Sequence, residues 1–109
     1  MLDLLQIEAR LRAYLSARIA NLRVLASGWE TIVFEFALSE RSRSIPQLPS
    51  AQPLVLRFYQ GAQADSKGAR EHLTIASLAR VNFRVPRPYA YEPDHDALGA
   101  PFMIMDRLA

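Results

Sequence analysis

The sequence contains no cysteine. That excludes a disulfide framework, a thiolate metal site and a cysteine nucleophile. Long apolar runs are also lacking, and none approaches the ~18–20 residues that a membrane span needs. Excess charge is scarce: thirteen basic residues against eleven acidic ones leave +2, too little to argue for nucleic acid. Lysine is nearly absent. Lys67 is the one lysine among the thirteen basic residues, a usage that reads as codon bias rather than chemistry. His72 and His95 lie far apart and lack metal-ligand spacing. His95 sits between Asp94 and Asp96, which reads as a solvated turn. No serine sits on a nucleophile elbow. Met1-Leu2-Asp3-Leu4 lacks the basic start of an export signal, and no internal repeat is visible. The expected location is the cytoplasm, with neither nucleic acid nor membrane as partner.

What is there is globular material. With 109 residues, half of them apolar and 22% charged, the chain has the size of one domain with a real core. Leu4, Ile7, Leu11, Leu15 and Ile19 predict an amphipathic helix over 3–20. Asp3 and Gln6 resemble a capping box, and Asn21 a left-handed stop. Residues 22–27 read as a strand, Gly28 turns the chain, and 31–38 alternate. Ile32, Phe34, Phe36 and Leu38 take one face; Thr31, Val33, Glu35 and Ala37 take the other. Residues 39–53, with Arg41 and Arg43, are expected to form a mobile, solvated loop. A third strand spans 54–59, with Leu54, Leu56 and Phe58 opposite Val55, Arg57 and Tyr59. A second helix runs from Asp65 to Arg80, capped by Asp65 or Ser66. Its apolar arc holds Ala69, Leu73, Ile75, Ala76, Leu78 and Ala79, with Glu71 at the edge. Val85-Pro86-Arg87-Pro88 forces an extended stretch. Residues 89–91 and 101–105 supply the last strands, around a turn-rich loop at 92–99. The expected fold is α+β: a five-stranded antiparallel sheet with one long helix packed on it plus an N-terminal helix, both on one side.

Arg57 is the first candidate for chemistry. A charge inside an apolar strand needs a partner, because burying it unpaired is expensive. Glu71 comes 14 residues later on the next helix, and a strand followed by a packed helix can join the two as a bidentate pair. A purely structural ion pair would use the same residues, as would two separately exposed ones. Gly28, between the first two strands, permits close approach of a phosphate to backbone amides, and it equally serves a plain turn. Tyr89, Tyr91 and Phe102 read as packing rather than as a base-stacking platform.

Read in order, these segments resemble the N-terminal lobe of the protein-kinase-like fold, in its aminoglycoside phosphotransferase and choline kinase branch. Ala26-x-Gly28-x-x-Thr31-x-Val33 stands where kinases carry a glycine-rich loop. Val55-Leu56-Arg57 resembles their Ala-Ile-Lys strand. Ala69-Arg70-Glu71-His72-Leu73 is similar to their Arg-Glu-x-x-Leu helix, and Val85-Pro86-Arg87-Pro88 to a Val-Pro-x-Pro stretch. Pro101 to Leu108 resembles the strand that enters the hinge between lobes.

The resemblance implies ATP as the nucleotide. Arg57 would contact its α- and β-phosphates, with Glu71 holding the guanidinium. Gly28 and the neighbouring backbone would cover the phosphates. Leu25, Val33 and Val55 would sandwich the adenine, with Met105 behind it. The carbonyl of Asp106 and the amide of Leu108 would hydrogen-bond its edge. Two departures stand out. Ala26 and Thr31 replace glycines, which implies a stiffer loop. Arg57 replaces lysine, and a guanidinium is a planar fork rather than a point charge. Residues 1–109 are expected to be a single nucleotide-binding lobe that ends at the hinge, with the C-terminal catalytic lobe absent. The catalytic Asp, the Mg²⁺ ligands and the site for a small-molecule hydroxyl acceptor belong to that other lobe. The 109 residues alone are therefore expected to be inactive. A lobe cut there would bare the wall around Leu25, Val33, Val55 and Met105, which favours self-association. The alternative is a non-catalytic binding or assembly module. About 150–200 further residues with a catalytic Asp motif would favour the kinase.

Overall fold

Asp3 starts α1 (Leu4–Leu15) with the expected capping box. Its carboxylate accepts from the Gln6 amide at 2.8 Å, and Gln6 Oε1 accepts from the Asp3 amide at 2.9 Å. The computed structural model describes residues 3–81 and 85–107. Ile7, Leu11 and Leu15 form the buried stripe of α1. The helix stops earlier than the apolar rhythm predicts, at Ser16, which turns left-handed with φ 50°. Ile19 continues that rhythm in sequence but opens β1 (Ile19–Ser27), opposite Leu38. Asn21 does take a left-handed φ of 59°, though not as a helix stop. It sits inside β1 where the register slips between Ala20 and Arg23, a bulge that suits an Asn.

β2 (Thr31–Leu38) and β3 (Leu54–Tyr59) have the bounds that their alternation predicts. α2 (Ala64–Arg80) begins at Gln63, which makes no side-chain cap bond, so neither Asp65 nor Ser66 caps it. β4 (Pro88–Glu92) and β5 (Phe102–Asp106) complete the sheet. The strand order is β1-β2-β3-β5-β4, and every neighbouring pair is antiparallel.

The helices lie on opposite faces, not on one side as expected. Phe34, Phe36, Leu54, Leu56, Phe58, Phe102 and Ile104 pack with Ile7, Leu11 and Leu15 of α1. Val55, Tyr59, Met103 and Met105 pack with Ala64 and Ile75 of α2. The central strands β3 and β5 are thus covered twice, which explains their nearly unbroken apolar runs. The inward side of α2 holds Ala64, Gly68, Glu71, His72 and Ile75, with Ala76, Leu78 and Ala79 of the expected arc half-buried as well. Leu73, expected in the apolar arc, is 64% exposed, and Ala69 is exposed as well. Gly68 explains this rotation. A Cβ there would lie 3.0 Å from Tyr59 Cδ2 and 3.0 Å from the Tyr91 hydroxyl. The helix approaches the sheet through the residue that has no side chain.

The 39–53 segment is anchored rather than free. Ser42, 1% exposed, donates to the Leu15 carbonyl at 2.6 Å and accepts from the Ile45 amide at 3.0 Å. Arg41 and Arg43 remain exposed on it, as expected. His95, read as part of a solvated turn, places Nε2 2.7 Å from Asp65 Oδ1 and ties the β4–β5 loop to α2.

Candidate functional site

The sheet face under α2 gathers the polar groups of interest. β3 points Arg57 at α2, and the close seating at Gly68 turns Glu71 back toward it. Arg57 Nε donates to Glu71 Oε1 at 2.9 Å. Both side chains are 27% exposed. The contact uses one nitrogen, not the bidentate fork expected from the sequence. Among the described residues Arg57 makes its ion pair through Nε, and its side chain lines an open groove of about 590 Å³. A lysine has one nitrogen for both tasks; arginine can hold Glu71 with Nε and present two more donors to an anion.

Tyr59 is a third member, to which the sequence reading gave no role beyond its strand face. Its hydroxyl donates to the same Glu71 oxygen at 3.1 Å. Burial first, and then the Glu71 charge, push its pKa up, so it stays a donor. Tyr59 shares the strand face of Arg57, which was the available signal. The groove is lined further by Glu30 at the hairpin tip and by Lys67 and Arg70 on α2. Lys67 Nζ stands 3.8 Å from Glu30 Oε2.

Strand register places the apolar candidates beside this pair. Val33 pairs with Arg57, and Arg57 with Met103. One row further along, Glu35 pairs with Val55, and Val55 with Met105. Of the wall of Leu25, Val33, Val55 and Met105, only Leu25 is exposed. Val55 and Met105 are each 6% exposed, while Leu25 is 37% exposed. The cause is packing on the two central strands beneath α2, where Val33 and Ile75 join the same cluster. Glu35 has an unexpected role: its carboxylate, 14% exposed, pairs with Arg23 at 2.8 Å and also with Arg107.

Gly28 closes the β1–β2 hairpin by donating its amide to the Thr31 carbonyl at 3.0 Å. A Cβ at Gly28 would meet only that carbonyl, at an ordinary 3.6 Å. The Gln60 side chain donates to the Gly28 carbonyl at 3.2 Å and to the Trp29 carbonyl at 3.4 Å, so β3 braces the tip. Trp29 is 95% exposed there. At the far end of the face, the Asp106 amide donates to the Arg87 carbonyl at 2.9 Å. The Asp106 carboxylate accepts from the Tyr89 hydroxyl at 2.7 Å. Leu108, expected to touch the adenine edge, lies outside the described residues. Among the described residues, no cluster of three or more His, Cys, Asp or Glu could hold a metal ion. No helix among them is long and apolar enough to cross a membrane.

Comparison with known proteins decides the family. Residues 21–109 match the phosphotransferase enzyme family (APH). The chain belongs to that family. In fold, it matches a crystal structure from Ralstonia eutropha JMP134 that carries an aminoglycoside phosphotransferase assignment. That match has a TM-score of 0.58 at 23% identity and covers 98% of this chain. The chain spans 28% of the length of that structure. No curated protein matches it in sequence. The five-stranded antiparallel sheet with its two helices is therefore the kinase N-lobe-like α+β fold that the phosphotransferase resemblance implies.

Proposed function

We propose that this phosphotransferase-family chain is the nucleotide-binding lobe of an ATP-dependent enzyme that phosphorylates a hydroxyl of a small molecule. The observation that carries this reading is the grip of Arg57 Nε on Glu71, 2.9 Å long, by a guanidinium whose side chain lines an open groove. That donor set suits a polyphosphate. Arg57 binds the α- and β-phosphates, and Glu71 with Tyr59 fixes its direction. Leu25, Val33 and Val55 enclose the adenine, with Met105 behind it. The Asp106 carbonyl meets its edge. ATP, when bound, supplies the transferable phosphoryl group. The ligands of Mg²⁺, the catalytic base and the acceptor site belong to a C-terminal lobe, in line with the 28% share of the Ralstonia structure that this chain spans. By itself the chain binds nucleotide without turnover.

ATP titration of the purified chain, read through Trp29 fluorescence, tests this. Half a pocket should bind weakly, at roughly 0.1–1 mM. Arg57→Ala should weaken ATP by about tenfold or more. Nanomolar binding, or an Arg57→Ala variant that binds as well as the parent, would overturn the assignment. Phosphorylation of any small alcohol by the chain alone would overturn its inactivity.

A further inference from the structure

We propose that Lys67 is a second polyphosphate-binding cation of this groove, and that Glu30 occupies it until a nucleotide arrives. This rests on the nucleotide-lobe reading above and extends it to a residue outside the Arg57–Glu71 pair. Position comes first. Lys67 lies one helical turn before Glu71, on the same helix flank, and lines the same groove as Arg57. Direction comes second. The row of Val55 and Met105 marks the proposed base end, the row of Arg57 follows, and the row of Thr31 and Tyr59 lies beyond it toward the hairpin tip. Successive rows on one face are about 6.6 Å apart. A nucleotide with its base on the first row and its α-phosphate near the second points its outer phosphates at the tip, where Lys67 meets Glu30.

The Lys67–Glu30 contact suits replacement. It spans 3.8 Å, with Glu30 54% exposed, and an ion pair this open to solvent contributes little. A polyphosphate brings several charges to the same ammonium and displaces one carboxylate. Once released, Glu30 leaves the hairpin tip held, among the described residues, by its own turn and by Gln60. The hairpin and α2 are thereby linked through the ligand rather than through each other.

Lys67 carries the one ε-amine of the chain, which allows a direct test. ATP and AMP affinities are measured for the parent, Lys67→Met, Lys67→Arg, Glu30→Gln and Arg57→Ala, and acylation of the Lys67 peptide is followed by mass spectrometry. Lys67→Met should weaken ATP roughly fivefold and change AMP less than about twofold, and Lys67→Arg should restore most of the loss. Glu30→Gln should strengthen ATP about two- to threefold. ATP, but not AMP, should protect Lys67 from acylation. If Arg57→Ala loses ATP while Lys67→Met binds it normally and Lys67 stays unprotected, the role of Lys67 is overturned and the lobe reading stands. If the parent binds no ATP, both are overturned.

Discussion

Glu71 accepts two donors on one oxygen, from Arg57 at 2.9 Å and from Tyr59 at 3.1 Å. The direction of Arg57 therefore depends on a tyrosine as well as on its ion partner. Tyr59→Phe removes one hydroxyl and nothing else. It should lower unfolding free energy by about 1 kcal/mol, measured in urea, because a partly buried carboxylate loses a donor. Glu71→Gln should bring the Tyr59 pKa back toward its usual value by removing the neighbouring charge, which an ultraviolet titration reads. An unchanged tyrosine titration would place the cause in burial alone. At this scale the Arg57–Glu71 encounter was legible, because a charge in an apolar strand demands a partner. The one-nitrogen geometry was not, since it depends on how closely α2 seats. The Glu35 pairs were not legible either, because Arg23 and Arg107 reach Glu35 only through the folded sheet.

Among the elements, β2 was readable to the residue from its period-two alternation, and β3 from a short apolar run bounded by turn residues. The end of α1 was not. Leu11, Leu15 and Ile19 keep a helical spacing straight through the break, and only the fold assigns Ile19 to a strand. The buried arc of α2 was misread in part, at Ala69 and Leu73, for a related reason: its contact face is set by the absent side chain of Gly68, which no apolar count registers. Gly68→Ala should therefore destabilise the chain by about 1–3 kcal/mol through overpacking on Tyr59 and Tyr91, with ~1 kcal/mol of helix propensity regained. A net rise in the urea midpoint would show that α2 has slack there. Ser42→Ala should cost about 1–3 kcal/mol, because the Leu15 carbonyl loses its donor at a buried site. A midpoint within error of the parent would mean that the 39–53 segment needs no such tie.

Across the whole molecule, all four tyrosines have pKa values pushed up. Burial is the first cause in each. Tyr14 rises to about 12, by burial and then by the Glu92 carboxylate that accepts from its hydroxyl. The folded state thus favours neutral tyrosine more than the unfolded chain, where the phenol ionises near ~10. The stability linked to these groups is intact below pH ~10 and is lost as pH rises through about 12. Melting temperature should fall steeply in that window, and Tyr14→Phe should flatten part of the fall. A melting temperature constant to pH ~12 would contradict the burial of these rings. The fold class was legible at this scale because five strand signals and two helix signals admit few antiparallel arrangements. The placement of the helices on opposite faces was not, because both faces of β3 and β5 are apolar and either could have taken either helix.

That placement separates two selective pressures in space. The α1 face holds the larger and drier cluster, while only Ala64 and Gly68 of α2 are fully buried. Amide hydrogens facing α1 should exchange last, and those of α2 well before them. Variation on one side of the sheet would tune how long the lobe endures, and on the other what it grips.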